Sequence, residues 1–177
     1  SKEAIKKLKE RGLKTVMLTG DNERVAQAIA KQVGIDTVIA DVLPQEKASA
    51  IQKLQEASKV AFVGDGINDA PALSIADVGI AMGSGTDIAI ESGGIVLTQN
   101  DLLGVVRAFD MSQKTFHRIL LNLFWASIYN ILGLPIAAGV FVGLGLTLNP
   151  ELAGLAMALS SLSVLTSSLL LNVAKID

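Results

Sequence analysis

The chain has 177 residues, of which 50% are hydrophobic and 18% are charged, and its formal net charge is −2. This balance excludes the excess of clustered Lys and Arg that binding to nucleic-acid phosphates requires, so we expect no nucleic-acid partner. The sequence contains no cysteine, which excludes disulfides and thiolate metal sites within these residues.

Charged residues are distributed very unevenly along the chain. Every Lys and Arg except Lys175 lies at or before Arg118, and no charged side chain occurs in 119–150 or in 152–174. Each uncharged stretch is longer than the roughly 20 apolar residues that cross the hydrocarbon core of a bilayer. We therefore predict two transmembrane helices after a soluble part.

This division predicts three parts in chain order. They are a domain at 1–105, a helical connector at 106–118 and a membrane part at 119–177, with helices at about 119–142 and 152–173. The basic residues before the first membrane helix and after the second predict that both ends of the hairpin are cytoplasmic. The first residues start in the middle of an amphipathic helical pattern, which predicts that the chain is a piece of a longer protein.

Helical and strand patterns alternate in the first part. Short β-branched runs follow one another as "KTVML", "DTVIA", "KVAFV", "DVGIAM" and "GGIVL", with helical segments between them. This alternation predicts an α/β fold with a doubly wound, mostly parallel sheet that is covered on both faces. Ligands of such sheets bind beyond the carboxyl ends of the strands.

Two short motifs follow the first two predicted strands. In "TGDN", Thr19, Gly20 and Asp21 stand where a helix begins, and helix N-termini attract phosphate. In "LPQEK", Lys47 is a cation that could neutralise phosphoryl charge. The alternatives are a helix cap for the first motif and a solvated helix lysine for the second.

The third strand leads into "GDGINDAP", which is the most informative string in the sequence. Asp65 and Asp69 are four residues apart, and Gly64 and Gly66 let the backbone approach a ligand closely. Carboxylate oxygens at a strand exit suit Mg²⁺, which also takes oxygens from water and from substrate phosphate. The alternative is an acidic turn that caps the next helix.

Polar groups inside the predicted membrane helices are candidate functional residues, because burying them in lipid is costly. Tyr129 and Asn130 lie near the middle of the first helix, and Met157 and Ser161 lie four residues apart on one face of the second. A thioether favours Cu(I), and neither helix contains an acidic or histidine side chain for a hard divalent ion. Apolar filling by the methionine and close helix packing by the serine are the alternatives.

The three motifs in this order resemble those of the haloacid-dehalogenase-like phosphotransferases, and "GDGINDAPAL" resembles the hinge motif of P-type ATPases. The resemblance implies an aspartyl-phosphate cycle driven by ATP. It implies that Asp65 binds Mg²⁺ with support from Asp69, and that Thr19 and Lys47 hold the phosphoryl group. The remaining residues that it implies in the site are Gly20, Asp21 and Asn68.

The phosphorylated Asp of that family sits in a "DKTGT" string, which this sequence lacks. The resemblance therefore implies a nucleophile upstream or on another chain, and a fragment that does not hydrolyse ATP by itself. It also implies the other parts of such an enzyme as partners: upstream membrane helices, an actuator domain and a nucleotide-binding domain.

The membrane part is similar to the last two helices of the copper-exporting heavy-metal P-type ATPases, through "YN" in the first helix and "MALSS" in the second. This similarity implies that Tyr129, Asn130, Met157 and Ser161 hold transported Cu(I) together with an upstream Cys-Pro-Cys helix. Zinc-exporting relatives would have a Lys in the first helix and an Asp in the second, and both are absent here. Ag(I) as a second cargo and a copper chaperone as a partner are further implications.

We therefore predict a fragment of an ATP-driven Cu(I) export pump in a multi-pass membrane protein. Three alternatives remain from the residues alone. The first is a membrane-anchored Mg²⁺-dependent phosphatase, the second is a P-type ATPase for another metal, and the third is a non-catalytic subunit that has lost its nucleophile.

Overall fold

A computed structural model describes residues 1–65, 67–83, 87–145 and 149–170. Gly66, which we predicted near a ligand, lies outside the described residues, as do Lys175 and the predicted end of the second membrane helix. The chain divides into two units, Ser1–Ala108 and Phe109–Asp177. Each unit is described by itself.

Helices and strands alternate through the first unit in the predicted order, and two long helices follow. They are α1 (Lys2–Glu10), β1 (Val16–Leu18), α2 (Glu23–Val33), β2 (Thr37–Ile39), α3 (Lys47–Gln55), β3 (Ala61–Gly64), α4 (Ala70–Ile75), β4 (Val78–Met82), α5 (Asp87–Ser92), β5 (Ile95–Leu97), α6 (Leu103–Ala137) and α7 (Pro150–Leu169). Single turns of 3₁₀ helix occur at Pro44–Glu46, Ile67–Asp69 and Val142–Leu144.

All paired strands of the first unit are parallel, which confirms the predicted α/β class. The strands form two sheets among the described residues, one with the order β1-β2 and one with the order β3-β4-β5. In register, Val16 pairs with Thr37 and Ala61 pairs with Val78. β1 and β3 are not hydrogen-bonded neighbours, so the described strands form two parallel sheets where the alternation predicted one.

Two apolar clusters cover the two faces of the three-stranded sheet. Successive side chains of a strand point to opposite faces, and Phe62 and Val63 of β3 accordingly contact different clusters. The first cluster joins α3, β3 and α4, and Leu18 of β1 packs against it. The second joins β4 and β5 to Val105 of α6, and Leu8 of α1 packs against it. Helices on both faces agree with the doubly wound architecture.

The predicted connector and most of the first predicted membrane helix lie within one helix, α6. It ends at Ala137, earlier than the predicted position near 142. The reason is Gly139, whose φ of +78° allows the left-handed turn of a Schellman motif. In this motif the N–H of Val140 donates to the carbonyl oxygen of Pro135 at 3.0 Å, and that of Gly139 donates to Ile136 at 3.1 Å.

By length and composition, α6 is the single helix of the described residues that is apolar and long enough to cross a membrane. A shorter apolar helical stretch covers Met157–Leu169 within α7. The side chains of α6 and α7 are joined by polar contacts. Asn122 Nδ2 donates to Ser168 Oγ at 2.9 Å, and Arg118 Nη1 donates to Ser167 Oγ at 3.3 Å. The buried Asn122 Oδ1 accepts no hydrogen bond from any described residue.

A network around Asp36 joins α1 to the start of β1 and the start of β2. Lys9 Nζ lies 2.6 Å from Asp36 Oδ1, and both the N–H and the hydroxyl of Thr15 donate to Oδ2, at 2.9 and 2.8 Å. The hydrogen bond from Lys9, followed by those from Thr15, lowers the pKa of Asp36 from 3.8 to about 2. All three donors favour the ionised carboxylate.

We expect this network to make the first unit sensitive to acid. Because the folded-state pKa of Asp36 is depressed, its contribution to stability is full above about pH 4 and is lost as the pH falls towards 2. In Asp36→Asn, the protection of residues 13–18 against amide hydrogen exchange should therefore be lower than in the wild type at pH 6. Near pH 2 the amide protection of these residues should become similar in the variant and the wild type.

The matched control is Glu10→Gln, which removes an exposed carboxylate that lies 3.8 Å from the ammonium of Lys6. Exposed ion pairs contribute little, so this variant should follow the wild type at every pH. Equal protection in Asp36→Asn and wild type at pH 6 would contradict the assigned role of Asp36.

Candidate functional site

The three predicted motifs all lie at the carboxyl ends of parallel strands. Thr19 directly follows the last residue of β1, and Asp65 directly follows the last residue of β3. Lys47 is the first residue of α3, after the 3₁₀ turn that Pro44 opens. The position of the residues therefore agrees with the rule that α/β sheets bind ligands beyond their carboxyl ends.

An ion pair connects the second and third motifs. Lys47 Nζ lies 2.7 Å from Asp69 Oδ1, and the two side chains are only 19% and 11% exposed. The other carboxylate oxygen of Asp69 accepts a hydrogen bond from the backbone N–H of Asp65 at 3.4 Å. Asp69 thus fixes both the lysine ammonium and the backbone at Asp65, whose own side chain is exposed.

Gly64 makes this arrangement sterically possible. A Cβ atom built on Gly64 would lie 2.8 Å from Cβ and 2.9 Å from Oδ2 of Asp69. Such distances are shorter than real Cβ contacts, so a side chain at this position would displace the carboxylate. The glycine predicted to allow close approach of the backbone thus makes room for a side chain of its own motif.

The first motif forms a compact turn. Thr19 Oγ1 donates to Asp21 Oδ2 at 3.1 Å and accepts from the Asp21 N–H at 3.1 Å. Asn22 then caps α2, because its Oδ1 accepts from the N–H of Val25 at 3.0 Å. Asn22 fulfils the capping role that the residues left open as an alternative, and the hydroxyl of Thr19 remains in a partly exposed position beside Asp21.

Sequence reasoning missed the loop after β2. Val42 is buried and its N–H donates to the carbonyl oxygen of Thr19 at 3.1 Å, while the N–H of Asp41 donates to the carbonyl oxygen of Asp21 at 2.9 Å. This loop therefore braces the first motif. The sequence carries a weak signal for this loop. Asp41 has a positive φ of +53°, and Asp is one of the few residues that adopt this left-handed conformation.

The donors of this site fit a Mg²⁺ ion that takes only one or two of its ligands from the protein. Among residues 1–65, 67–83, 87–145 and 149–170, no three or more acidic or histidine side chains cluster as in an all-protein metal cage. Mg²⁺ is usually held by one or two carboxylates and by water and phosphate oxygens, and the exposed carboxylate of Asp65 suits that pattern. The carboxylate of Asp69 is committed to Lys47 and to the backbone.

The four predicted copper ligands differ in their contacts and exposure. Tyr129 Oη lies 3.5 Å from Ser163 Oγ, and Asn130 Nδ2 donates to the carbonyl oxygen of Ala126 in its own helix at 2.9 Å. Met157 is 74% exposed, and Ser161 is exposed as well. Two of the four side chains, Met157 and Ser161, are therefore accessible to further ligands.

Comparison with known proteins gives the family. Residues 1–77 match the model described as haloacid dehalogenase-like hydrolase. The chain is 54% identical over 173 residues, 97% of its length, to the "Probable copper-exporting P-type ATPase" of Archaeoglobus fulgidus. It is 56% identical over its whole length to the "Copper-exporting P-type ATPase" of a bovine Staphylococcus aureus strain. It covers 22% and 21% of these two relatives, so it spans about a fifth of their length.

A solved structure agrees in fold. The crystal structure of a zinc-transporting PIB-type ATPase in the E2.Pi state is 41% identical, with a TM-score of 0.85 over 96% of this chain and 27% of that chain. Both the sequence relatives and this structure are larger P-type ATPases. The chain therefore belongs to the P-type ATPases, where it groups with relatives named copper exporters and contributes part of a haloacid-dehalogenase-like domain.

Proposed function

We propose that this chain is the C-terminal part of a Cu(I)-exporting P-type ATPase, with half of the phosphorylation domain and the last two transmembrane helices. The observation that carries the proposal is the cluster of Lys47, Asp69 and Asp65 at the strand exits. Identity of 54–56% to relatives named as copper exporters, against 41% to a zinc transporter, supports copper as the cargo.

The proposed reaction needs a carboxylate that this sequence lacks. An upstream Asp attacks the γ-phosphorus of ATP, the bond from phosphorus to the ADP oxygen breaks, and water later hydrolyses the resulting acyl phosphate. The divided sheet suggests where that Asp enters, since β1 and β3 are each followed directly by a site residue and are not paired with each other. One further parallel strand between them would bring its carboxyl end between Thr19 and Asp65.

Each site residue then has a proposed task. The ammonium of Lys47, oriented by Asp69, neutralises charge on the transferred phosphoryl group. The N–H of Gly20 donates to a phosphoryl oxygen, and the hydroxyl of Thr19 exchanges its acceptor Asp21 for a second phosphoryl oxygen when phosphate binds. Asn68 is exposed at the same strand exit, where its amide can reach substrate or water.

Mg²⁺ is the cofactor that fits the donors of this site. Asp65 would hold it, and the ion would supply positive charge that neutralises the phosphate oxygens of ATP. Asp69 supports this site indirectly by fixing the Asp65 backbone.

In the membrane, Tyr129, Asn130, Met157 and Ser161 are the proposed ligands for transported Cu(I), and Ag(I) has the same preference for soft ligands. Because Met157 and Ser161 are exposed in this chain, the site needs further ligands from outside it. An upstream Cys-Pro-Cys helix would supply two thiolates. In this proposal the soluble part and both hairpin ends are cytoplasmic, and a copper chaperone delivers the ion.

The first test concerns the phosphorylation site in the intact, upstream-extended protein. Lys47→Met removes the ammonium beside the phosphoryl group, so phosphoenzyme formation from labelled ATP should fall by about 100-fold. Lys53→Met is the matched control, because Lys53 is an exposed lysine of the same helix, and it should leave the rate unchanged. Equal rates in the two variants would contradict the proposed role of Lys47.

The second test concerns the transported metal. Met157→Leu keeps the volume but removes the thioether, so the Cu(I) concentration for half-maximal phosphoenzyme should rise by about tenfold or more. Asn130→Ala should act in the same direction. Met111→Leu, at a partly exposed methionine of α6, is the control and should match the wild type.

The same experiment separates the alternatives. Phosphoenzyme that depends on Zn²⁺ and not on Cu(I) would indicate a pump for another metal. Hydrolysis of soluble phosphoesters without any metal stimulation, and without an effect of Met157→Leu, would indicate a membrane-anchored phosphatase.

A further inference from the structure

Two loops at the candidate site are joined by backbone hydrogen bonds. One is the β1–α2 loop with Thr19 to Asn22, and the other is the β2–α3 loop with Ala40 to Leu43. The parallel ladder continues one step past the strands, since the N–H of Thr19 donates to the carbonyl oxygen of Ile39 at 3.0 Å. The N–H groups of Asp41 and Val42 then donate back to Asp21 and Thr19.

Two consecutive N–H groups that point to the same neighbouring loop are incompatible with extended backbone. In a strand, successive N–H groups point to opposite sides, so residues 41 and 42 could not both donate to one loop. The turn is made at Asp41, which has a φ of +53°, and it is the only non-glycine with positive φ in the described part of the chain. Asp adopts this left-handed conformation more readily than most residues.

The same turn also sets the start of α3. The N–H of Leu43 donates to Glu46 Oε2 at 3.1 Å, and the N–H of Glu46 donates to the carbonyl oxygen of Leu43 at 2.9 Å. Lys47 follows directly. The three consecutive N–H groups from Asp41 to Leu43 therefore all have acceptors. Through these hydrogen bonds the loop connects the first motif to Glu46, the residue before α3.

We infer that Asp41 is a positioning residue that acts through its left-handed backbone, holding Thr19 and Lys47 in register with each other. The inference rests on the proposed function for its catalytic consequence. The role belongs to the conformation and not to the charge, because the side chain of Asp41 is exposed while its N–H and that of the buried Val42 make the contacts. Gly20 completes the fit, since a Cβ there would lie 3.3 Å from the carbonyl oxygen of Val42.

A graded series at this position tests the inference in the intact protein. Asp41→Asn and Asp41→Gly keep the left-handed conformation accessible, whereas Asp41→Ala and above all Asp41→Val disfavour it. The probe is inorganic phosphate, and the readout is the concentration that gives half-maximal phosphoenzyme. We expect Asn and Gly variants within about twofold of the wild type and the Val variant raised by about tenfold, with Ala between them.

The control for general backbone strain is Gly34→Val. Gly34 ends α2 with a φ of +88°, and a Cβ there would meet open space, so only the backbone is strained. This variant should lose stability without a change in the half-maximal phosphate concentration. If the four Asp41 variants shifted that concentration equally, charge and not conformation would be responsible, and the inference would be overturned.

A second readout does not depend on catalysis. Amide hydrogen exchange of residues 40–43 should be faster by about tenfold in Asp41→Val and unchanged in Asp41→Gly. If the wild type formed no phosphoenzyme, the proposed function would fail, and this exchange pattern would still decide the inference about the loops. Equal exchange in the Val and Gly variants would refute it.

Discussion

The largely buried ion pair between Lys47 and Asp69 is the contact on which the candidate site depends. Removing one partner of such a pair leaves an uncompensated charge, typically at a cost of about 3–5 kcal/mol. The structure keeps both partners and commits the second oxygen of Asp69 to the backbone at Asp65. Lys47 is therefore fixed in position, while the carboxylate of Asp65, the proposed Mg²⁺ ligand, remains exposed. Gly64 is required because any larger residue would occupy the space of the carboxylate.

A second constraint is the division of the sheet. Strands β1 and β2 form one parallel pair, and β3 to β5 form another parallel set, with Leu18 of β1 packed against the core of the second set. Backbone groups along unpaired strand edges need hydrogen-bond partners. The chain covers only about a fifth of the length of the two P-type ATPase relatives named above. The rest of such an enzyme offers a source for the strand that would pair with these edges.

The helical unit contains two kinds of polar side chain. Its polar side chains join α6 to α7 through Arg118, Asn122 and Tyr129, which contact serines of the facing helix. The residues proposed as copper ligands, by contrast, are exposed or bonded to their own helix. The relatives named copper exporters are several times longer than this chain, and in our proposal such exposed groups meet ligands from other segments. The polar residues at the helix contacts and those of the proposed transport site therefore need different explanations within the same two helices.

Much of the fold follows from local patterns. The alternation of β-branched runs with helical segments predicted the parallel α/β class. Four of the five observed strands fall within the predicted runs, and β3 extends one residue beyond its run, to Gly64. The end of α6 was placed too late, because the apolar pattern continues past Gly139 although the backbone turns there. Within the site, the sequence predicted which residues lie at strand exits. It did not predict Asp41, because the left-handed turn matters only through its contacts with another loop.

The sequence by itself determined the order of elements, the two uncharged stretches and the set of chemically suited residues, since each depends on neighbours within a few positions. Only the tertiary structure decided the partners. Lys47 and Asp69 are 22 positions apart, and Tyr129 and Ser163 are 34 apart. Sequence spacing does not specify which distant side chains meet, because that depends on how sheets and helices pack. For this reason the sequence identified Asp69 as a carboxylate near a metal, and the structure assigned that carboxylate to a lysine.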